Sequence, residues 1–414
     1  MKKFVSMVSA AVIAASMTVV TAVPASAAKD TGWKKAYTDF LKKEAKKNIG
    51  EDFQHTWDTL KLEKSFSVYD LDGNKTPELI VFDDMGTHIY TYSGGKVVQM
   101  KAETDNPNAW EFNEEGAGAY LWWKDNTTEF WYSPSEKVAN SYTTGTGYWF
   151  YYFKFKNGKQ KEIFSGEQCG PCNLTYNGKV HSYGFDDDPV SYKKFISEIS
   201  AQTPKDRIHL GYSFRMNDAE ISCAISGGNN YKTLYKKFLN ARIGKKDTKN
   251  FRMKDISGDG IPELFLKTSV GGSDSTKIYT YADNRIVYYG DVSEEYISDN
   301  ILLRNQIDFM YIFANDENIK ETLTYNSNTN TIRLKRKGDL YTCMIFFKPG
   351  KNSMGEATVF ASGKNNEGNQ VYVIDGVTVT KKKYNSELTK FAGNYSSLGK
   401  SYKINKQNID TVIR

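Results

Sequence analysis

The chain has 414 residues, a formal net charge of +6 at pH 7 and 14% aromatic residues. So small a charge on this length, without a Lys/Arg cluster interleaved with aromatic side chains, argues against a nucleic-acid-binding protein. The length suits two or three domains, and the many Tyr and Phe residues favour a strand-rich fold.

The first 27 residues have the pattern of a secretory signal peptide. Lys2 and Lys3 precede an apolar run from Phe4 to Val23, which ends in the small residues Ala25–Ala27. A transmembrane helix is the alternative, but Ser and Thr interrupt this run, and no later segment is apolar for the roughly 20 residues that a span needs. We therefore expect cleavage after Ala27 and release from a bacterial cell as a secreted, extracellular protein without a membrane span.

One amphipathic helix pattern occurs twice. Apolar residues at the spacing i, i+3, i+4, i+7 and i+8 predict a helix with one apolar face. The first copy of this stripe is Trp33, Ala36, Tyr37, Phe40 and Leu41, and the second is Tyr231, Leu234, Tyr235, Phe238 and Leu239.

An acidic loop follows each helix pattern. Loop 1 runs Asp70-Leu-Asp72-Gly-Asn74-Lys-Thr76-Pro-Glu78, and loop 2 runs Asp255-Ile-Ser257-Gly-Asp259-Gly-Ile261-Pro-Glu263, 185 residues further on. Each loop leads into a matching Ile-Tyr-Thr-Tyr segment, Ile89–Tyr92 or Ile278–Tyr281. Several features repeated in the same order indicate an internal duplication.

Strand patterns and turn signals dominate the rest of each copy. The predicted strands are Tyr120–Lys124, Glu129–Tyr132, Tyr148–Phe155, Lys320–Tyr325, Thr331–Lys335, Tyr341–Phe347 and Ala357–Ala361. Asn177-Gly178 and Asp375-Gly376 predict tight hairpin turns, and a helical stretch follows each of them, at Tyr192–Ile199 and Tyr384–Phe391.

The last matching segments place the boundary between the copies. Phe214–Ile225 matches Tyr402–Ile413, and Asn217 and Asn405 lie where each would cap a helix. We therefore predict an α+β, β-rich chain of two tandem homologous domains, residues 28–227 and 228–414. In each domain an N-terminal helix is expected to pack on an antiparallel sheet.

The side chains of the two loops suit a hard cation. Oxygen ligands on alternate residues around a tight turn are what Ca²⁺ requires, whereas Mg²⁺ prefers waters and phosphates. The expected ligands are Asp70, Asp72, Asn74, Thr76 and Glu78 in loop 1, and Asp255, Ser257, Asp259, Ile261 and Glu263 in loop 2. The alternative is that the Asp side chains only accept hydrogen bonds from their own backbone amides.

The two loops differ at their sixth residue. Gly260 in loop 2 can adopt a positive φ without strain, whereas Lys75 in loop 1 cannot, and it also brings a cation near the metal. Loop 2 is therefore expected to be the better calcium site, although Ser257 is a weaker ligand than Asp72.

The loops resemble known calcium motifs over about 15 residues of each copy. They are similar to the strand–loop–strand calcium motif of FG-GAP and VCBS repeats, and more closely to the DxDGDGxPEL segment that follows a short helix in many exported bacterial proteins of unassigned function. An EF-hand or dockerin would carry an acid at position twelve, where this chain has Val81 or Leu266. The resemblance implies a structural Ca²⁺ but not a propeller, which needs at least four blades.

The four cysteines could form disulfides in an exported protein. Cys169 and Cys172 are the candidate pair, but Cys223 and Cys343 leave three connectivities open. Cys169-Gly-Pro-Cys172 also spells a thioredoxin-like redox motif, yet the following residues predict a strand and hairpin rather than the helix that lowers the thiol pKa.

Aromatic residues concentrate in the first copy. Trp122, Trp131, Tyr148 and Tyr152 could stack on sugar rings, and are therefore the candidate ligand-binding residues. The alternative is that these side chains pack the sheet against the helices.

The sequence lacks the usual catalytic motifs. No nucleophile elbow, phosphate-binding loop, dinucleotide fingerprint or His-Glu-x-x-His occurs. The expected function is thus a non-catalytic, exported binding protein for a glycan or a cell-surface protein, with structural Ca²⁺ loops. A secreted glycan hydrolase that uses carboxylates and a structural surface component are the alternatives, and the oligomeric state is open.

Overall fold

The computed structural model describes the following residues: 32–47, 64–83, 86–103, 120–121, 129–144, 148–156, 159–168, 171–176, 179–185, 194–195, 198, 204, 208–210, 213–270, 273–293, 320–338, 341–350, 357–364, 368–375 and 377–414. Contacts between Cα atoms group Trp33–Arg414 into one compact unit. Of the other unit, Met1–Gly32, only Gly32 is described, so the predicted signal peptide and its cleavage after Ala27 lie outside the described residues.

Five short helices occur in the described residues: α1 (Gly32–Glu44), α2 (Asp218–Ile221), α3 (Tyr231–Asn240), α4 (Lys381–Thr389) and α5 (Lys406–Val412). A π-helical turn, Ser222–Ser226, continues α2. The helices predicted from the two apolar stripes are confirmed as α1 and α3. Asn217 and Asn405 cap α2 and α5 as predicted, because their side chains accept hydrogen bonds from the amides of Glu220 and Asn408. None of these helices is long and apolar enough to cross a membrane.

Two sheets come mainly from the first half of the chain. Sheet I has the order β14 (Phe214–Arg215), β1 (Ser65–Tyr69), β2 (Glu78–Asp83), β3 (Gly86–Ser93) and β4 (Lys96–Gln99), with β6 (Tyr120–Leu121) beside β3. Sheet II has the order β13 (Ile208–His209), β7 (Glu129–Ser133), β8 (Val138–Thr144), β9 (Tyr148–Lys156), β10 (Lys159–Gln168), β11 (Pro171–Tyr176) and β12 (Lys179–Phe185). The short strand β5 (Lys101–Glu103) pairs in parallel with β10, whereas the other pairs are antiparallel.

Two further sheets come from the second half. Sheet III has the order β26 (Tyr402–Lys403), β15 (Thr248–Lys254), β16 (Glu263–Val270), β17 (Ser273–Ala282) and β18 (Arg285–Ser293). Sheet IV has the order β25 (Ser396–Ser397), β19 (Lys320–Asn326), β20 (Thr331–Lys337), β21 (Tyr341–Phe347), β22 (Ala357–Lys364), β23 (Gln370–Ile374) and β24 (Val377–Thr378). The expected β-rich, antiparallel fold class is confirmed at this level.

The sheets of the two halves share strand order and register. Sheet III repeats the five-strand path of sheet I, and sheet IV repeats the seven-strand path of sheet II. Leu79 pairs with Tyr90 across sheet I, and Leu264 pairs with Tyr279 across sheet III at the same place after the acidic loop. The same local sequence therefore leads to the same pairing twice.

Sheet III is buried on both faces, which explains its unbroken apolar run. Leu264 and Leu266 belong to a buried cluster that includes Tyr235 and Phe238 of α3, whereas Phe265 between them belongs to a cluster with sheet IV. Successive strand residues point to opposite faces, so these neighbours enter two different cores.

The outer face of sheet IV has its own small cluster. Phe346 and Phe360 pack with the buried Tyr384 of α4, and Phe346 also stacks on Phe391 with ring centroids 4.5 Å apart. The protein thus covers the aromatic outer face of sheet IV itself, which keeps an apolar patch from being exposed to solvent.

Candidate metal centre in the acidic loops

Loop 1 connects β1 to β2 and is organised by its own side chains. The two carboxylate oxygens of Asp70 accept hydrogen bonds from the amides of Gly73 (2.8 Å) and Lys75 (3.0 Å). Asp72 accepts from the amide of Asn74 at 3.0 Å, and Asn74 Oδ1 accepts from the amide of Thr76 at 2.7 Å. These are the backbone-capping bonds expected if the loop is a set of Asx-turns.

Glu78 ends loop 1 and is fully buried. Its Oε2 accepts a hydrogen bond from the amide of Leu71 at 2.8 Å, and its Oε1 accepts one from the Thr91 hydroxyl at 3.4 Å. Burial, followed by the charge of the nearby Asp72 carboxylate, raises the pKa of Glu78 to about 8. Burial therefore favours the neutral, protonated form of this carboxyl group unless a cation lies beside it.

Three carboxylates converge in loop 1. Oxygen atoms of Asp70, Asp72 and Glu78 all lie within 4.8 Å of one another, which is a spacing that one hard cation could bridge. Asn74 and Thr76 lie on the same turn, but their side-chain amide and backbone already take part in the loop's own hydrogen bonds.

Loop 2 connects β15 to β16 with the same backbone bonds. Asp255 accepts from the amides of Gly258 (2.7 Å) and Gly260 (3.0 Å), and Asp259 accepts from the amide of Ile261 at 2.8 Å. The buried Glu263 accepts from the amide of Ile256 at 2.7 Å. Burial raises the pKa of Glu263.

The two loops differ in how their acids are placed. Among the described residues, the group of three acids with converging oxygens is the one in loop 1. Loop 2 has the half-buried Ser257 where loop 1 has Asp72, and Asp259 where loop 1 has Asn74, so each loop carries three acids but at different positions. Geometry thus favours loop 1, whereas the sequence alone favoured loop 2.

The strain expected at Lys75 is present. Lys75 has φ of 74°, close to the 83° of Gly260 at the equivalent place. The Asp70 side chain holds the Lys75 amide in this conformation, which a residue with a Cβ adopts only at a cost.

Loop 1 is also fastened to sheet II. The Tyr132 hydroxyl donates a hydrogen bond to the carbonyl of Leu71 at 3.0 Å, and a Cβ on Gly73 would lie 2.2 Å from Lys137 Nζ. The Lys137 ammonium group therefore lies against the acidic turn, and it can approach this closely because Gly73 has no side chain.

Sequence reasoning missed the threonines that support the buried acids. Thr91 donates to Glu78, and Thr280 donates to Glu263 at 3.2 Å. Both are the third residue of the repeated Ile-Tyr-Thr-Tyr segment, so comparing the two segments in the sequence could have identified them.

The aromatic candidates are largely internal where they are described. Trp131 and Tyr152 are each only 2% exposed, and the Tyr152 ring contacts Phe164 with centroids 5.3 Å apart. Tyr148 begins β9, but its side chain, like all of Trp122, lies outside the described residues. Trp131 and Tyr152 therefore form no open platform for a ligand.

The cysteine candidates are described only in part. Cys223 and Cys343 are buried and carry free thiols, so neither takes part in a disulfide. Burial raises the pKa of each of these thiols to about 12. Cys169 and the Cys172 side chain lie outside the described residues, and their pairing stays a prediction.

Comparisons with known proteins give no family. No protein-family model matches the sequence, and no curated protein matches it. Among solved structures, a mutant of AofleA from Arthrobotrys oligospora is 9% identical, with 84% of this chain and 90% of that chain covered and a TM-score of 0.19. A protein from Lactobacillus plantarum is 7% identical, with 77% and 97% covered and a TM-score of 0.15. Likenesses this weak carry no argument about fold or function.

Proposed function

We propose that the chain is an exported, non-catalytic binding protein of two homologous α+β domains, in which the acidic loops hold structural Ca²⁺. The observation that carries this proposal is the convergence of the carboxylates of Asp70, Asp72 and Glu78 within 4.8 Å. A divalent cation there would favour the ionised form of Glu78, which burial alone disfavours.

The division into residues 28–227 and 228–414 is supported by the repeated strand order and register. The helices of the two halves also bury equivalent tyrosines, Tyr37 of α1 and Tyr235 of α3. Their hydroxyls donate to different acceptors, Tyr37 to the carbonyl of Pro77 at 2.8 Å and Tyr235 to the carbonyl of Tyr279 at 3.4 Å.

Loop 1 is proposed as the tighter calcium site and loop 2 as the weaker one. Asp72→Asn tests this because the amide oxygen can still accept from the Asn74 backbone while one negative charge is lost. At 100 times its dissociation constant, Ca²⁺ should add about 2.7 kcal/mol to the unfolding free energy.

The measurement is thermal unfolding with EDTA and with added Ca²⁺. The wild type should melt higher with Ca²⁺, Asp72→Asn should lose most of that shift, and the matched variant Asp259→Asn in loop 2 should keep it. An unchanged melting temperature on adding Ca²⁺, or an equal shift in both variants, would overturn the assignment.

The proposed ligand is a cell-surface protein or a glycan outside the cell. Because Trp131 and Tyr152 are internal, contact with it is proposed for Trp122 and Tyr148. A glycan-array and cell-binding screen of the wild type and Trp122→Ala, with and without Ca²⁺, tests this, and absence of any retained ligand would contradict it. Export itself predicts that the secreted chain begins at Ala28 on N-terminal sequencing.

A further inference from the structure

The two halves meet at a junction made by corresponding parts of each. We define the junction by two sets of residues: Ser213, Phe214, Cys223 and Ala224 from the end of the first half, and Gly228, Leu234, Phe238, Tyr279, Tyr281 and Arg285 from the second half. Phe214 is 1% exposed and packs against the rings of both Phe238 (6.0 Å) and Tyr279 (5.5 Å).

Backbone carbonyls of the first half accept hydrogen bonds across the junction. The Tyr279 hydroxyl donates to Ser213 O at 2.6 Å, and Arg285 Nη1 donates to Ala224 O at 3.3 Å. The Arg285 guanidinium also lies 5.9 Å from the centre of the Trp33 ring. The junction thus combines packed aromatic rings with the guanidinium of Arg285, which lies on a hairpin.

The first half carries a counterpart of the surface that the second half uses. We call Phe40, Tyr90, Tyr92 and Lys96 the head surface, because they are equivalent to Phe238, Tyr279, Tyr281 and Arg285. The Phe40 and Tyr90 rings lie 4.7 Å apart, against 4.8 Å for Phe238 and Tyr279. Phe40, Tyr90 and Tyr92 are half-buried and Lys96 is exposed, whereas Phe238 and Tyr279 are fully buried.

The second half carries a counterpart of the surface that the first half uses. We call Ser401, Tyr402, Thr411 and Val412 the tail surface, because they are equivalent to Ser213, Phe214, Cys223 and Ala224. Tyr402 packs on Phe251 at 5.8 Å, as Phe214 packs on Phe66 at 5.5 Å. Thr411 is exposed and Tyr402 and Val412 are half-buried, whereas Phe214, Cys223 and Ala224 are buried.

A cavity opens on the tail surface at the place equivalent to that of Arg285 in the junction. It has a volume of about 310 Å³, and its lining includes Tyr231, Tyr402 and Val412 together with three cations, Lys232, Lys400 and Arg414. Tyr231 is equivalent to Trp33, over which the Arg285 guanidinium lies. The aromatic part of the junction is therefore repeated on the tail surface, whereas its place for a cation is not, so the match between head and tail rests on the aromatic side chains.

We propose that the head surface of one copy of this chain docks on the tail surface of a second copy, in the geometry of the internal junction. Such a contact joins two different surfaces, so it leaves one head and one tail open and can continue into a ring or a filament. The inference rests on the proposed correspondence of the two halves, and it is independent of calcium binding, so the failure of either can be recognised separately.

Two substitutions test the contact. Phe40→Lys places a charged side chain where the junction holds the fully buried Phe238. Thr411→Lys places a charged side chain where the junction holds the fully buried Cys223. The matched controls, Phe391→Lys and Asn385→Lys, make the same changes at a half-buried phenylalanine and at an exposed position of α4.

Sedimentation velocity from micromolar to near-millimolar concentration is the measurement. The wild type and both controls should assemble beyond dimers as concentration rises, and each head or tail variant alone should associate at least about tenfold more weakly, equal to about 1.4 kcal/mol. An equimolar mixture of Phe40→Lys and Thr411→Lys should form dimers and nothing larger, since one intact head and one intact tail remain. A wild type that stays monomeric, or a mixture that stays monomeric while the wild type assembles, would overturn the proposal.

Discussion

A buried ion pair joins Glu220 of the first half to Arg242 of the second half. Arg242 Nη2 lies 2.6 Å from Glu220 Oε2, and the two side chains are 3% and 0% exposed. Burial alone would lower the pKa of Arg242, but the Glu220 carboxylate raises it, so the guanidinium is held charged. The same Glu220 oxygen accepts a hydrogen bond from the Arg215 amide at 2.8 Å.

Arg242→Met removes the cation, and the Met side chain fills most of the volume that Arg242 occupies. A buried carboxylate left without its partner costs about 3–5 kcal/mol of unfolding free energy. Unfolding one half of about 190 residues carries an entropy near 0.4 kcal/mol/K, so the melting temperature should fall by about 7–12 °C. Cooperative unfolding of both halves together would halve that fall.

Urea unfolding and calorimetry of Arg242→Met, Glu220→Gln and the double variant provide the assay. The double variant should regain much of the loss, because no uncompensated charge is then buried and Gln can still accept from the Arg215 amide. Lys236→Met, which breaks the exposed pair of Lys236 with Asp410, is the control and should change little. Strictly additive losses in the double variant would show instead that the two side chains contribute to stability independently.

Three further perturbations have clear expected outcomes. Gly227→Ala should be severely destabilising in thermal melts, because Gly227 has φ of 70° and a Cβ there would lie 1.9 Å from the Asn284 carbonyl oxygen; a wild-type melting temperature would contradict this. Gly260→Ala, with φ of 83° and open space around it, should lose only about 1 kcal/mol in urea unfolding. Burial alone would raise the pKa of Asp247, but the hydrogen bond and charge of Arg215 leave it below its ordinary value. Its contribution to stability should therefore be present near neutral pH and be lost as the pH falls through the folded-state pKa, so Asp247→Asn should weaken the acid dependence of urea midpoints.

Features that depend on local spacing were predictable from the sequence. The apolar stripes gave α1 and α3, the polar residues Asn217 and Asn405 gave two helix N-caps, and Tyr341–Phe347 matches β21 residue for residue. In each case the deciding interactions join residues close in the chain, so periodicity and capping chemistry suffice.

Features that depend on distant pairing were not predictable. The sequence marked Gly227-Gly228 as a boundary, but nothing local showed that the Asn284 carbonyl packs against Gly227. Likewise, the burial of Trp131 and the approach of Lys137 to Gly73 follow from sheet packing over long sequence separations. The acidic loops were predictable in part. Their hydrogen bonds join residues close in the chain, but the burial of Glu78 depends on residues far from it in the sequence.

Calorimetric titration of the EDTA-treated protein with Ca²⁺ tests the calcium assignment most directly. We expect one tight site per chain, which Asp72→Asn removes and Asp259→Asn leaves in place. A titration without binding heat at any temperature tried, or a tight site that survives Asp72→Asn unchanged, would contradict it.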